Sequence, residues 1–357
     1  MLNNLIDFND LTLSEWEMLL SLGLDICENT AKYREYCKGK ILATLFYEPS
    51  TRTKFSFQAA MIKLGGNVIG FDGTASSSVS KGENLRDTIK IVANYADAIA
   101  IRNPDEGAAF AASLYSKVPV INAGDGGHLH PTQTMSDLFT ISKLNNCNLT
   151  GLNIGICGDL LNGRTVHSLL KAFSLYAGNT FYFISTPALQ VPEIFCADLK
   201  KNNKIIMCDT IEECISKLNI IYMTRIQQER FADNDEYERQ RGIYILDKEK
   251  LNRAKEDLII LHPLPKNDEI SPEVDDDERA RYFQQAEFGL YIRMALLIKL
   301  FEHDCKTKIN KNNKSNTDKK CANVKCVTNS EHERYLPGIA KTDSEGDLCC
   351  AYCENKF

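Results

Sequence analysis

Two doubly wound parallel-sheet α/β domains with a cleft between them, followed by a small C-terminal domain, are the fold this 357-residue sequence predicts. Three observations carry the prediction. Apolar runs of strand length alternate with segments apolar at helical spacing, an order that demands a parallel sheet with helices on both faces. The alternation occurs twice, on either side of a polar break at residues 145–151. Near the end the composition turns abruptly polar and then rich in cysteine.

The elements follow in order. Residues 11–27 read as an amphipathic helix and 40–46 as the first strand. Residues 55–64 are apolar at helical spacing and stop at Gly65-Gly66. Strands at 67–71, 97–102 and 118–122 then alternate with helices at 83–95, 107–115 and 132–143. In the second half, strands are expected at 152–157, 180–184, 204–207, 219–222 and 258–261. Helices are expected at 164–176, around 193–200 and 211–218, and a long amphipathic one at 278–303 closes this part. The expected domains are 1–148 and 149–305.

Hydrophobic content of 43% and charged content of 25% are those of a soluble globular protein. A net charge of −6 gives no general basic footprint for nucleic acid. No apolar run approaches the roughly 18 residues of a membrane span. The first residues lack the basic end and long apolar core of a signal peptide, so the cytosol is the expected compartment.

Residues 306–320 hold six lysines and four asparagines, too polar for a core, and read as a solvated linker. The run has no aromatic residue or arginine, which disfavours a nucleic-acid tail. Of 13 cysteines, eight are scattered up to Cys305 and five fall between Cys321 and Cys353. In a reducing compartment such a cluster reads as a metal site before it reads as disulfides. Cys321-x4-Cys326, 23 residues, then Cys350-x2-Cys353 gives two thiolate pairs suited to a four-thiolate zinc site over residues 321–357. Cys349 and His332 are spare candidates, with Cys349 the alternative to Cys350.

The most informative stretch is Ser50-Thr51-Arg52-Thr53, placed where the first strand turns into a helix. Helix-start N–H groups have no intrahelical partner, and the helix dipole favours an anion there. Three hydroxyls and a guanidinium at that point form a cradle for a phosphate dianion; the plainer reading is a helix cap beside a surface arginine. Ligands of parallel sheets gather at the carboxyl ends of strands, and the other polar motifs fall there too. They are the loop with Ser77 and Lys81, Arg102 at a strand end, the glycine-rich run with His130 and Gln133, the loop opening at Arg164, Arg225 with Gln227, and His262-Pro263-Leu264-Pro265. The run from Gly158 to Arg164 lacks Gly-x-Gly-x-x-Gly, so a nicotinamide cofactor is rejected. Two arginines in the second half suit a substrate with two carboxylates.

All these motifs, in this order and at similar spacing, resemble those of the catalytic chains of aspartate carbamoyltransferases, over about residues 1–305. The resemblance implies transfer of the carbamoyl group of carbamoyl phosphate to L-aspartate, an early step of de novo pyrimidine biosynthesis. It implies carbamoyl phosphate binding by Ser50, Thr51, Arg52 and Thr53, with Arg102 and His130 on the carbonyl and Gln133 on the carbamoyl amide. It implies that Ser77 and Lys81 enter a neighbouring subunit's site in a homotrimer or an assembly of trimers. Arg164, Arg225, Gln227, Pro263 and Leu264, together with Lys81, match aspartate-binding positions; Glu48 and Arg230 match groups that hold the closed domain arrangement. His262-Pro263-Leu264-Pro265 favours aspartate over the sister ornithine enzymes, which typically carry His-Cys-Leu-Pro here. An ornithine or other amino-acid carbamoyltransferase and an inactive scaffold are the alternatives. The C-terminal segment is similar to the zinc domain of the aspartate carbamoyltransferase regulatory chain, implying one structural zinc and no cofactor for the catalytic step.

Overall fold

The computed structural model describes residues 2–357 apart from Ser76, Glu229, Arg230, Ala232, 303–313 and 344–345. The chain divides into two compact units, one built from Met1–Thr132 with Leu290–Phe357 and the other from Gln133–Gly289. The sequence places the whole of the last long helix with the second domain. The structure instead gives its final turns to the first unit, because Arg293 bonds to groups there.

The first unit opens with α1 (Leu13–Glu28), whose Thr12 and Glu15 cap each other at its start. A four-stranded parallel sheet follows, built from β1 (Ile41–Phe46), β2 (Asn67–Asp72), β3 (Ala98–Asn103) and β4 (Val120–Asp125) in the order β2-β1-β3-β4. Helices α2 (Thr51–Lys63), α3 (Leu85–Val92) and α4 (Ala108–Tyr115) connect these strands, and α5 (Pro131–Leu144) follows β4. The β3–β4 register shifts between Ile101 and Asn103, where Ala123 and Gly124 of β4 stand opposite the single residue Arg102, so the extra residue is on β4.

The second unit has a five-stranded parallel sheet ordered β7-β6-β5-β8-β9. Its strands are β5 (Asn153–Cys157), β6 (Thr180–Ile184), β7 (Lys204–Cys208), β8 (Ile220–Met223) and β9 (Ile259–Leu261). Helices α6 (Arg164–Phe173), α7 (Ala197–Lys200), α8 (Asn234–Gln240), α9 (Lys248–Leu251) and α10 (Tyr282–Phe301) accompany them. The last helix starts later than the expected residue 278. Asp277 binds the Arg279 guanidinium, and Ile260 exchanges backbone hydrogen bonds with Arg279 and Arg281, which extends this stretch along the sheet. The helix expected around 193–200 is split into a 3-10 turn, Glu193–Phe195, and α7, and of the one expected at 211–218 only the 3-10 turn Ile215–Lys217 forms.

The linker expectation fails at its C-terminal end. Lys314–Asn316 forms β10, which pairs antiparallel with β11 (Ile339–Thr342); β12 (Leu348–Cys350) completes a three-stranded sheet. Composition misses this because an edge strand is recruited by its backbone, while Lys314 finds the Phe110 ring 4.2 Å from its Nζ.

The C-terminal sheet is seated on the first unit rather than held apart from it. Cys321, Cys326, Val327, Cys350 and Tyr352 share one buried cluster with Leu85, Ile89, Ala108 and Phe110. Glu106 bonds Lys325 O and Val327 N–H through its backbone, each at 2.9 Å. Gly107 makes this approach feasible: at φ 85°, a Cβ there would stand 2.6 Å from Tyr352.

Candidate active site

In each parallel sheet the strand order reverses once, between β1 and β3 in the first unit and between β5 and β8 in the second. Crevices outside the carboxyl ends at such reversals are where open α/β sheets bind ligands. The polar motifs of the sequence sit at both.

In the first unit, β1 delivers Ser50 to the N-cap of α2, with Thr51, Arg52 and Thr53 in its first turn. Ser50 has extended backbone and its side chain does not cap the helix, so these residues are not assembled as an ordinary cap box. Thr53 is buried, and its Oγ1 lies 3.5 Å from Nε2 of buried His130, while Thr132 Oγ1 stands 3.5 Å from His130 Nδ1. Arg52 is an exposed residue; partial burial pulls its pKa down, but a guanidinium stays charged. Arg102, at the end of β3, places Nη2 2.8 Å from Glu48 Oε1. Glu48 thus meets a neighbour in its own unit, and Arg230 lies outside the described residues.

Sequence reasoning did not identify Arg293. Buried at 4% exposure, it donates to Ser56 Oγ at 3.1 Å and Thr132 O at 3.2 Å, and its guanidinium lies over Phe57. It therefore ties α2 to the segment after His130 and holds the Thr53–His130 pair in register. A lone arginine in an apolar helix was the only sequence signal.

Ser77 and Lys81 stand apart from this group on a short surface turn. Ser77 Oγ donates to Thr74 O at 3.0 Å, and Lys81 ends the 3-10 turn Ser78–Lys81 with its side chain exposed.

In the second unit, the loop after β5 begins at Gly158, where φ is 115° and a Cβ would lie 2.3 Å from Thr224 O. That close approach brings the ends of β5 and β8 together. Asp159 accepts the Asn162 N–H at 2.9 Å and shapes the turn into α6, whose first residue is Arg164. Burial raises the Asp159 pKa. Gln227 Nε2 donates to Asn162 O at 3.3 Å, so the loops bearing Arg164 and Arg225 are joined.

After β9, Leu264 sits at φ 56°, a left-handed conformation uncommon for a branched residue. Its N–H donates to His262 Nδ1 at 2.7 Å, which leaves the ring proton on Nε2 to donate to Glu269 Oε1 at 2.7 Å. Burial pushes Glu269 up, but this bond, the electrostatic attraction of His262 and backbone N–H groups together outweigh it and hold the carboxyl below its usual pKa.

One buried group links several of these parts. Asp137 accepts from Gln133 Nε2 at 2.7 Å, Gln285 Nε2 at 2.6 Å and Tyr222 OH at 2.9 Å. Gln285 in turn accepts the His262 N–H at 3.0 Å. The Gln133–Asp137 spacing of one helical turn was readable from the sequence, but the long-range partners were not.

In the C-terminal sheet the Sγ atoms of Cys321, Cys326, Cys350 and Cys353 all lie within 4.8 Å of one another. The Cys321–Cys353 and Cys326–Cys350 separations are 3.5 and 3.9 Å. A tetrahedral zinc with Zn–S bonds near 2.3 Å needs sulfurs about 3.8 Å apart, so the four residues fit that metal. Cys326 is pushed up to about 12 by its hydrogen bond with Cys350, and Cys350 is held low by bonds from Cys326 and Cys353. A dication relieves such competition between crowded thiols. Successive strand residues face opposite sides, and Cys349 points away, its Sγ donating to Lys341 O at 3.4 Å.

The two units with polar groups at both strand-order reversals have the make-up of a carbamoyltransferase. Residues 3–143 match the carbamoyl-P binding domain of aspartate/ornithine carbamoyltransferases, and residues 150–300 match their Asp/Orn binding domain. The chain belongs to the aspartate carbamoyltransferase catalytic subunit family. It is 55% identical over 298 residues to the catalytic subunit from Clostridium novyi (strain NT), covering 83% of this chain and 97% of that one. Among solved structures, the catalytic subunit of M. jannaschii aspartate transcarbamoylase superposes with a TM-score of 0.78 at 45% identity, covering 84% of this chain and 98% of that one. The Trypanosoma cruzi aspartate transcarbamoylase in complex with N-(phosphonacetyl)-L-aspartic acid gives 0.79 at 34% identity, covering 83% and 95%. Both family models end by residue 300, before the four cysteines.

Proposed function

We propose that the described motifs carry the reaction of this family: the carbamoyl group of carbamoyl phosphate passes to the α-amine of L-aspartate, giving N-carbamoyl-L-aspartate and phosphate. The observation that carries the assignment is the placement of Ser50-Thr51-Arg52-Thr53 and Arg102 at the ends of the two strands flanking the first reversal. Ser50, Thr51, Arg52 and Thr53 hold the phosphate. The amine attacks the carbonyl carbon, a tetrahedral intermediate forms, and phosphate leaves as the C–O bond breaks, its own oxygen taking the amine proton. Thr53, Arg102 and His130 donate to the oxyanion; removing one such donor typically costs about 3 kcal/mol in the barrier. Gln133 accepts from the carbamoyl amide. Arg164 and Arg225, with Gln227, Pro263 and Leu264, hold the two carboxylates of aspartate.

Lys81 and Ser77 serve the site of a neighbouring subunit, so the working form is a homotrimer or an assembly of trimers. The exposure of Lys81 on its turn supports this. Cys321, Cys326, Cys350 and Cys353 hold one structural zinc in a domain of the regulatory-chain type, fused to the catalytic chain. A cytoplasmic setting without nucleic-acid partners belongs to the same reading; no described helix is long and apolar enough to cross a membrane. Subunit exchange tests the assignment. Lys81→Ala and Arg52→Ala proteins are each expected to be nearly inactive, and their mixture to regain turnover where one interface keeps both residues. No recovery after verified exchange refutes shared sites, and full activity of Arg52→Ala refutes the phosphate cradle.

A further inference from the structure

We propose that Glu333 and Tyr335, carried by the four-cysteine module, are positioning residues for Lys81, acting through the start of α3. The inference rests on the reading above that Lys81 serves the reaction. The first three amides of α3 are each accounted for. Leu85 N–H donates to Glu333 Oε1 at 2.9 Å, Arg86 N–H to the Tyr335 hydroxyl at 2.8 Å, and Asp87 N–H to Asn84 Oδ1 at 2.9 Å. Two of the three acceptors come from a part of the chain nearly 250 residues away.

These contacts are built rather than incidental. Glu333 is buried at 7% exposure, and its other carboxylate oxygen receives the Tyr335 hydroxyl. The Arg86 guanidinium lies 4.4 Å from the Tyr335 ring centre, and Tyr115 packs edge-on at 5.8 Å. A carboxylate at a helix N-terminus is favoured by the helix dipole, and an acceptor there removes a donor that the helix cannot satisfy itself.

Only residues 82–84 separate Lys81 from this helix start. Gly82 is left-handed, and Glu83 accepts from the Thr88 hydroxyl at 2.7 Å, so the short connection is itself tied back to α3. Fixing Leu85 and Arg86 therefore fixes the base from which Lys81 projects. On the module side, Glu333 ends the 3-10 turn Glu331–Glu333, between Cys326 and Cys350. The module thereby makes the geometry of the Lys81 turn depend on Glu333 and Tyr335 of the same chain.

A double-mutant cycle on the full-length protein tests this. Glu333→Ala and Tyr335→Phe are made alone and in a Lys81→Ala background. For each, kcat, KM for aspartate, metal content and hydrogen exchange at the Leu85 and Arg86 amides are measured. Glu333→Ala is expected to retain its metal, to exchange those amides roughly tenfold faster, and to lose about tenfold in kcat through misplacement of Lys81. In the Lys81→Ala background it is expected to cause no further loss of residual turnover. Losses that multiply, or faster exchange with unchanged kcat, overturn the proposal. If Lys81→Ala alone leaves turnover intact, the role read for Lys81 fails and this inference falls with it. Tyr335→Phe removes a single hydroxyl and carries the same test if Glu333→Ala does not fold; unchanged kcat in that variant overturns the proposal.

Discussion

Gln133 and Asp137 stand one turn apart on α5, and the Gln133 amide nitrogen donates to the Asp137 carboxylate at 2.7 Å. The bond decides which way the Gln133 amide faces. With its nitrogen committed to a buried acid, its oxygen is the group presented as an acceptor, as recognition of a carbamoyl amine requires. Asp137→Asn can offer its own NH2 in place of the carboxylate oxygen and so permits the reversed Gln133 amide. Carbamoyl phosphate is expected to bind the variant about tenfold more weakly, the loss of one good hydrogen bond, while inorganic phosphate binds as before. Calorimetric titration with both ligands checks this; equal weakening of the two would show a general disruption instead.

A second relationship carries a pH signature. His128 is buried between Asp125, 3.2 Å from Nδ1, and Glu354, 3.1 Å from Nε2, with Lys341 also paired to Glu354. Burial opposes the charged ring, but the two carboxylates outweigh it and push His128 up from 6.5 to about 10. A pKa raised in the folded state contributes stability that is full below the unfolded value and is lost as pH rises through the folded one. Thermal stability of the native protein is therefore expected to fall between pH 6.5 and about 10 more steeply than that of His128→Gln. Parallel pH profiles for the two proteins would remove the charged triad.

These relationships mark where the sequence was legible. Strand-length apolar runs and the Ser50-Thr51-Arg52-Thr53 turn could be placed because burial and helix-start chemistry act within a few residues of the chain. Arg293, Asp137 and Glu333 could not be placed, because their roles arise from partners brought together by topology. The segment at Lys314–Asn316 misled for a related reason: polar composition predicts solvation, while strand pairing there uses the backbone. The choice between Cys349 and Cys350 needed the strand's alternation, fixed by the pairing of Ala340 with Cys350.

The metal site gives a third expectation. Metal analysis should find one zinc per chain, retained in Cys349→Ser and lost in Cys353→Ser. A segment as short as 321–357 has little core of its own, and zinc supplies roughly 10–16 kcal/mol of binding energy in zinc-finger peptides. Cys353→Ser is expected to lose order in the module and to turn over more slowly, without losing activity altogether, because Arg52, Lys81 and Arg225 remain. Full zinc content in that variant would remove the ligand assignment. Complete loss of turnover with intact oligomers and an ordered module would place the metal in the chemistry.

The acceptor is the central claim, and one rate measurement reaches it directly. Purified protein with carbamoyl phosphate is assayed for carbamoyl transfer with L-aspartate and L-ornithine side by side. Arg164 and Arg225 in the second unit, with the His262-Pro263-Leu264-Pro265 run, are expected to give turnover with L-aspartate and none with L-ornithine. Equal rates with the two amino acids, or transfer to ornithine alone, would contradict the account.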